Sequence, residues 1–542
     1  MSPDPDRDEM VLADLIALRA EEQPDLDVLT FEHLSLDGGA TSDEVRTYAD
    51  LAENAHRIAA GLVELGMEPG DRFAIMMRNH PEFVETMVAA SITGTVFVPI
   101  DPRTRGDKLA YMLATAGCRG LVTSDDCLSE IDRVRDRLPD LGWVLALDTG
   151  FETRDTLEVA SFPEVRPMGE FLEREGVTLD VRTPGPEAPL QIMFTSGTTG
   201  DPKGIVGSNF RFCGAALLGH LFDYGPDDRP YTGLSLTHGN AQSVTLAPAL
   251  HMGLRAVFSR RFTRSKLWDV CRAHGCTTFS LLGGIATAIY SEPPRPDDAD
   301  NPVRMVVSGG MPAGLWEAFE DRFGVRNLEF YGAMDGGGVA YKPIGEGPIG
   351  SFGKPIDGVE MKILDEEGAE CPPGVIGEIC SRPEGGEATI DYHGDPEASR
   401  AKIRSGWNRS GDMGHRDADG WLFFDFRAGG GIRRNGEFVN AGFVEKVIAE
   451  HPAVGDVFVY GVPAASGAPG ESDIVAAVVP APGASLDPDS VFATCRSELE
   501  ANFVPTYLQH VDEIPKTASE KPLEKILSAE FSPDADGVRT EG

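Results

Sequence analysis

The sequence predicts an α/β protein in two parts, a large N-terminal region of several sheets followed by a small, mobile α+β region. Three observations carry this expectation. The chain has 542 residues, beyond the size at which one hydrophobic core stops growing, so at least two domains are expected. Up to about Gly350, apolar stretches of strand and helix length alternate, the pattern of βαβ units with largely parallel sheets. Beyond Gly350 the texture changes to short strands and turns, and then come three consecutive glycines, Gly429, Gly430 and Gly431.

Leu51, Ile58, Leu62 and Leu65 fall at roughly helical spacing, with Gly66 placed to cap the helix. A strand is expected from Phe73 to Met77, a helix from Pro81 to about Ile92, a strand from Val96 to Ile100, a helix around Lys108 to Thr115 and a strand from Leu121 to Thr123. The alternation resumes at Leu190. After Gly350, strands are expected at Val359 to Leu364, Gly377 to Ser381 and Trp421 to Phe426. The glycines that follow are weakly restricted and suit a hinge, although a simple tight turn has the same composition. The expected domains are therefore 1–427 and 428–542. The second contains helices at Phe443 to Glu450 and Pro488 to Leu499 and strands at Val457 to Val462 and Ile474 to Val479.

Composition narrows the class of function. With 41% apolar and 25% charged residues the chain reads as globular. Against 48 basic side chains stand 87 acidic ones, a formal net charge of -39. A field of that sign repels nucleic acid and anionic membranes, so neither is expected as a partner. It repels polyphosphates too, so a nucleotide site would have to create its own local positive potential. The eight cysteines show no C-x-x-C pair and no metal-ligand spacing with histidine, which suggests reduced, mostly buried thiols. Residues Met1 to Met10 are polar and acidic, so no signal or transit peptide is expected, and no stretch approaches the ~20 apolar residues of a spanning helix. The expected location is cytoplasmic.

The most informative segment is Phe194-Thr195-Ser196-Gly197-Thr198-Thr199-Gly200-Asp201-Pro202-Lys203-Gly204, directly after the apolar run Leu190 to Met193. A strand that ends in small hydroxylated residues, glycines and one lysine can wrap phosphate oxygens with backbone N–H groups, hydroxyls and a cation. It does not fit the Walker pattern, because Pro202 stands where the second glycine belongs and Gly204 follows the lysine. On composition alone, a surface turn is the plain structural alternative.

As a string, this segment resembles the nucleotide loop of the adenylate-forming superfamily, which includes acyl-CoA synthetases, firefly luciferase and nonribosomal peptide adenylation domains. The resemblance runs from Thr47-Tyr48 to the segment around Lys521, and is closest in flavour to the carnitine/crotonobetaine-CoA ligase branch, with Phe443 to Pro452 in support. It implies a large adenylating domain and a small mobile lid. It assigns Thr195, Ser196, Gly197, Thr198, Thr199 and Lys203 to the phosphates of ATP. Ser308-Gly309-Gly310-Met311-Pro312 resembles the turn flanking adenine, and Glu329-Phe330-Tyr331-Gly332 the strand whose tyrosine stacks on it. Asp412 resembles the carboxylate that accepts from the ribose hydroxyls, and Arg427 an arginine that contacts ribose. Where most relatives have Thr-Glu, this chain has Met334-Asp335, leaving Asp335 as the residue implied for Mg²⁺. His238 resembles a histidine gating the acyl pocket, which would also be lined near Gly283, Gly284, Gly336 and Gly337. Gly436 resembles the glycine of the pantetheine tunnel. Ile514 to Lys521 resembles the P-K-T-x-x-G-K ending, with Glu520 in place of its glycine. The catalytic residues implied are Lys521, His238 and Thr195.

The expected activity is that of an ATP-dependent acid:CoA ligase with Mg²⁺, taking a small carboxylic acid, ATP and coenzyme A, with a homodimer left open. Three alternatives remain at this point. One is an acyl-AMP ligase that loads a carrier protein, another is a catalytically weak nucleotide- or acyl-binding homologue, and a third is a luciferase-like oxygenase.

Overall fold

The computed structural model of the chain describes residues 8–34, 42–150, 165–194, 202–336, 338–427, 432–434, 437–439, 441–465, 472–499, 501–517, 520 and 522–541. Contacts group the chain into two compact units, Met1–Ser280 with Asp391–Ser399, and Leu281–Ile390 with Arg400–Gly542.

The first unit contains the expected alternation: strand Arg72–Met76, helix Pro81–Thr93, strand Val96–Pro99, helix Gly106–Ala116 and strand Cys118–Ser124. Its seven-stranded sheet runs in the order Val165–Pro167, Trp143–Leu147, Cys118–Ser124, Arg72–Met76, Val96–Pro99, Pro189–Phe194 and Gly204–Ser208. Every pair is parallel except the last, which closes antiparallel with Phe194 opposite Gly204. A second sheet orders Glu44–Thr47, Asp27–Glu32, Ala256–Ser259, Pro230–Thr232 and the strand that begins at Thr278.

Local sequence explains the entry into these elements. Thr47 accepts from the Asp50 amide while the Asp50 carboxylate accepts from the Thr47 amide, a capping box that opens helix Tyr48–Glu64. Helix Pro81–Thr93 is buried on every side. Its two carboxylates therefore need a cation, and Arg46 provides one, at 2.6 Å from Glu85 and 3.3 Å from Glu82.

In the second unit, eight strands are ordered Val359–Leu364, Gly377–Pro383, Trp407–Arg416, Leu422–Arg427, Ser351–Pro355, Val339–Lys342, Arg326–Gly332 and Met305–Gly309. Only the last pair is parallel. The C-terminal part carries a four-stranded sheet, Val454–Pro463, Ser472–Pro480, Tyr507–His510 and Val538–Thr540, with helices Ala441–Ala449, Pro488–Glu498 and Glu524–Glu530. Its core is aliphatic, built from Val444, Ile448, Val457, Ile474, Val478 and Val491 among others. The architecture is the expected mixed α/β one, a large sheet-rich part and a smaller C-terminal part. All eight cysteines are free thiols and buried. Burial raises Cys118, Cys127, Cys213 and Cys495 to about 12. Among the described residues, no helix is long and apolar enough to cross a membrane.

One glycine fixes how closely two of these strands approach. Gly353 has φ +104°, and a β-carbon there would lie 1.9 Å from the Tyr341 carbonyl oxygen on the adjacent strand. Gly353→Ala should therefore combine a left-handed backbone penalty with an unavoidable backbone clash, costing roughly 3 kcal/mol or more. Denaturant unfolding checks this, with a shift in midpoint as the expected outcome.

Candidate nucleotide site

The phosphate loop begins where Pro189–Phe194 ends and returns in Gly204–Ser208, so pairing of Phe194 with Gly204 draws the two ends of the segment together. Thr195, Ser196, Gly197, Thr198 and Thr199 lie outside the described residues. Lys203 is described, at the foot of the returning strand. Its Nζ lies 5.5 Å from the centroid of the Tyr392 ring, a cation–π distance. Tyr392 reaches it because residues 391–393 run beside Gly204–Ser208: the Val206 amide donates to the Asp391 carbonyl, and the His393 amide donates to the Gly204 carbonyl. Sequence reasoning missed Tyr392, since nothing local marks a tyrosine far along the chain as a seat for this lysine.

The second unit brings another group of the expected residues together. Strands Met305–Gly309 and Arg326–Gly332 run parallel with Ser308 beside Glu329. From that register the Glu329 carboxyl reaches into the turn after the first strand. It accepts from the Gly310 amide, from the Met311 amide at 3.2 Å and from the Ser308 hydroxyl. Gly310 itself has φ +95°, which favours glycine. Glu329 is only 4% exposed, and both of its oxygens face the turn. Its oxygens thus hold the backbone at Gly310 and Met311 and the Ser308 hydroxyl, on the strand that the resemblance sets beside adenine. Burial pushes its pKa from near 4.5 up to about 8, against the opposing pull of its three donors.

Two residues on, the Tyr331 ring stacks on Phe352 at 4.7 Å, so only the opposite ring face can take a base. Its hydroxyl donates to Asp412 Oδ2 at 2.7 Å. Burial, followed by the Asp412 charge, raises the Tyr331 pKa well above its ordinary value, keeping it a donor. Asp412 lies on Trp407–Arg416 with Arg427 directly opposite on the neighbouring strand. The tyrosine implied for adenine, the carboxylate implied for ribose and the arginine implied beside it thus share one sheet. Phe330 and Gly332 flank Tyr331 on the same strand.

Asp335 sits in a tight turn in which the Gly336 amide donates to the Ala333 carbonyl and Gly336 has φ +81°. Its Oδ2 is 2.5 Å from Lys402 Nζ, which also donates to the Ser410 carbonyl at 3.2 Å. The Asp335 carbonyl accepts from Asn408 Nδ2 at 2.6 Å. Lys402 and Asn408 were not foreseen, because only sheet pairing brings 402–410 beside 335. Gly337 lies outside the described residues.

His238 lies in the first unit, where the Asn240 amide donates to its Nδ1 at 3.2 Å. That bond makes Nδ1 an acceptor, so the neutral ring carries its proton on Nε2. Asn79 holds the segment before it, accepting from the Leu236 amide at 2.8 Å and donating to the Leu234 and Ser259 carbonyls at 2.9 and 2.8 Å. Gly283 and Gly284 open helix Gly283–Tyr290. Gly436 and Lys521 are outside the described residues. Next to Lys521, Glu520 has φ +58°, so it takes the left-handed conformation that glycine adopts without strain, at a cost of roughly 1–2 kcal/mol.

A glycine turn pinned by a buried carboxyl, an aromatic ring beside it and a carboxylate bonded to that ring thus lie together in an α/β framework. Residues 16–386 match the model for AMP-binding enzymes, and residues 444–521 match that for the AMP-binding enzyme C-terminal domain. The chain belongs to the AMP-binding enzyme family, within the adenylate-forming superfamily. It is 30% identical to a medium/long-chain-fatty-acid–CoA ligase of Mycobacterium tuberculosis, over 92% of this chain and 94% of that protein. It is 29% identical to the crotonobetaine/carnitine–CoA ligase of Salmonella typhi, over 89% and 92% of the two chains. A sulfoacetate–CoA ligase of Cupriavidus necator is also 29% identical, over 94% and 96%. The fold is similar to that of the anthranilate CoA ligase AuaEII in complex with anthranoyl-AMP, with TM-score 0.80, 22% identity and 96% of each chain covered.

Glu329→Gln keeps the shape of the side chain but turns an NH₂ group toward one of its donors. It should raise KM for ATP roughly tenfold, the loss of one buried hydrogen bond, and leave KM for the acid unchanged. The same variant tests linkage. Between pH 4.5 and about 8 the unfolded chain releases the Glu329 proton while the folded chain keeps it, so stability falls as pH rises. Denaturation midpoints measured across that window should fall less steeply in Glu329→Gln than in wild type.

Proposed function

We propose that this protein is an ATP-dependent acid:CoA ligase, which joins a carboxylic acid to coenzyme A through an acyl-adenylate and releases AMP and pyrophosphate. The observation that carries the reading is the bond from Tyr331 to Asp412, which sets an aromatic ring beside a carboxylate and supports reading them as a base platform and a ribose acceptor. Family membership and the CoA ligases among the relatives support it, and favour it over carrier-protein loading and over a binding-only role.

In the first half-reaction an oxygen of the substrate carboxylate attacks the α-phosphorus, a phosphorus–oxygen bond breaks and pyrophosphate leaves. The 195–199 segment and Lys203 are proposed to hold the phosphates. Their donors are fixed before charge develops, which is what lowers the barrier for phosphoryl chemistry. Tyr331 and the turn held by Glu329 orient the base, and Asp412 and Arg427 the ribose. In the second half-reaction the CoA thiolate attacks the acyl carbon and AMP departs. His238 presents Nε2–H at the acyl pocket, and Gly436 leaves room for pantetheine. We assign residues 1–427 to the ATP- and acid-binding domain and 428–542 to a lid that carries Lys521 and reorients between the half-reactions. The reaction is placed in the cytoplasm.

Asp335 suits Mg²⁺ in kind, as a hard oxygen ligand. When bound, the ion would neutralise phosphate charge. Lys402 already holds this carboxylate, so the ammonium and the metal compete for it. Lys402→Met should therefore lower the Mg²⁺ concentration needed for half-maximal adenylation several-fold, and titration of Mn²⁺ into the complex with a non-hydrolysable ATP analogue should show the same direction by magnetic resonance.

Product analysis tests the function itself: ATP consumption should yield AMP and pyrophosphate, and ADP with an acyl-phosphate would exclude the reading. Lys521→Ala should slow acid-dependent adenylation on the order of 10²- to 10³-fold. The same variant should convert supplied acyl-AMP and CoA to thioester at near wild-type rate.

A further inference from the structure

Immediately after His238 the backbone leaves ordinary helical geometry. Residues Ala241–Leu246 form a π-helix, a wide turn that recurs at functional positions, and helix Ala247–Met252 continues from it. Within this short stretch, buried polar atoms lack hydrogen-bond partners. Asn240 is only 8% exposed, and neither its Oδ1 nor its Nδ2 has one. Thr245, 1% exposed, has an unpartnered hydroxyl, and Gln242, also 1% exposed, an unpartnered Oε1. The other end of Gln242 is occupied, donating to the Leu236 carbonyl at 2.8 Å.

Leaving such groups unsatisfied is costly, and native proteins rarely cluster them without something to fill the gap. Hydrogen bonding from i to i+5 gives the π-helix a turn of more than four but fewer than five residues, so positions five apart lie slightly past one full turn, on neighbouring parts of the same side. Asn240 and Thr245 therefore fall about one turn apart on one face. The Asn240 amide also bonds to His238 Nδ1 at 3.2 Å, tying this face to the histidine implied for the acyl pocket. The segment from Leu234 to Leu246 contains no aspartate, glutamate, lysine or arginine.

We infer that Asn240 and Thr245 form a polar subsite of the acyl pocket that selects carboxylic acids bearing a neutral hydrogen-bonding group, a hydroxyl or an amide, away from the reacting carboxylate. The inference rests on the ligase reading, because it takes the region of His238 as the acid's side of the site. A carboxamide offers one donor and one acceptor side by side, and a hydroxyl or amide substituent answers both. A plain alkyl chain would leave the Asn240 carboxamide, the Thr245 hydroxyl and Gln242 Oε1 unpaired. A quaternary ammonium has no proton to donate, and a second anion would find no cation on this segment.

Matched pairs of acids test it on the full-length protein: meta-hydroxybenzoate against meta-methylbenzoate, and an ω-hydroxyalkanoate against the alkanoate of equal length. In acid-dependent ATP–pyrophosphate exchange, wild type should favour the hydroxylated member of at least one pair by at least about 100-fold in kcat/KM, since a site built to hydrogen-bond a hydroxyl can reject the analogue that lacks it by up to ~10⁴- to 10⁵-fold. Asn240→Leu should collapse or invert that ratio while leaving KM for ATP unchanged. Thr245→Val, a closer match in shape, should shift it in the same direction by less. Equal ratios in wild type and Asn240→Leu would overturn the inference and leave a trapped water as the partner of these atoms. Calorimetric binding of the same acids without ATP separates this from failure of the ligase reading. If exchange is absent with every acid, hydroxy-acid binding that is lost in Asn240→Leu still supports the subsite. Binding that does not distinguish the paired acids or the two proteins removes it.

Discussion

The glycine turn after strand Met305–Gly309 depends on one buried carboxyl. A glycine-rich turn has little stiffness of its own, and the turn at Ser308 to Met311 includes a residue in the left-handed region. Glu329 supplies what the turn lacks by accepting from two successive amides and from a hydroxyl on the strand beside it. Because the two strands are parallel and in register, the same strand carries Tyr331 two residues on, with its ring on the face set by Phe352. The geometry of the turn and the orientation of the ring are therefore not independent, since both follow from how this strand is seated.

Much of the architecture was legible because strands buried on both sides read as apolar runs and helices show their period. Strand Arg72–Met76 and helix Pro81–Thr93 fall within a residue or so of expectation. Of the strands after Gly350, Val359–Leu364, Gly377–Pro383 and Leu422–Arg427 were legible, whereas Ser351–Pro355 and Trp407–Arg416 were not. What the sequence did not reveal are long-range partners of charge. Arg46 beside Glu85, Lys402 beside Asp335 and Lys203 beside the Tyr392 ring each join segments far apart in the chain. Helical or strand periodicity carries no information about which distant segment will lie alongside. The partners of Glu329 were hidden for a related reason, since they lie about twenty residues away on the neighbouring strand and the turn after it. The π-helix at Ala241–Leu246 escaped notice because nothing in its composition separates it from an ordinary α-helix.

The overall charge of -39 makes the local arrangement of cations significant. Lys203 rests near an aromatic ring, and Lys402 is bound to a carboxylate and a carbonyl. Neither position depends on bulk electrostatics. In an acidic protein, a cation placed by short contacts keeps its local effect even as salt screens the long-range repulsion of a polyphosphate. Around the Asp335 turn, a lysine shares the place that the resemblance gives to a metal.

The burial of all eight cysteines bears on a hazard inherent in this chemistry. An acyl-adenylate is an electrophile that any accessible thiolate can open, and a surface cysteine near the site would compete with the intended acceptor. Here each thiol is shielded from solvent, and burial raises several far above neutral pH, so they persist as unreactive S–H groups. Self-acylation on cysteine is closed off by packing. The same property makes the chain a clean background for a single introduced cysteine, whose label would report movement of the C-terminal part free of competing sites.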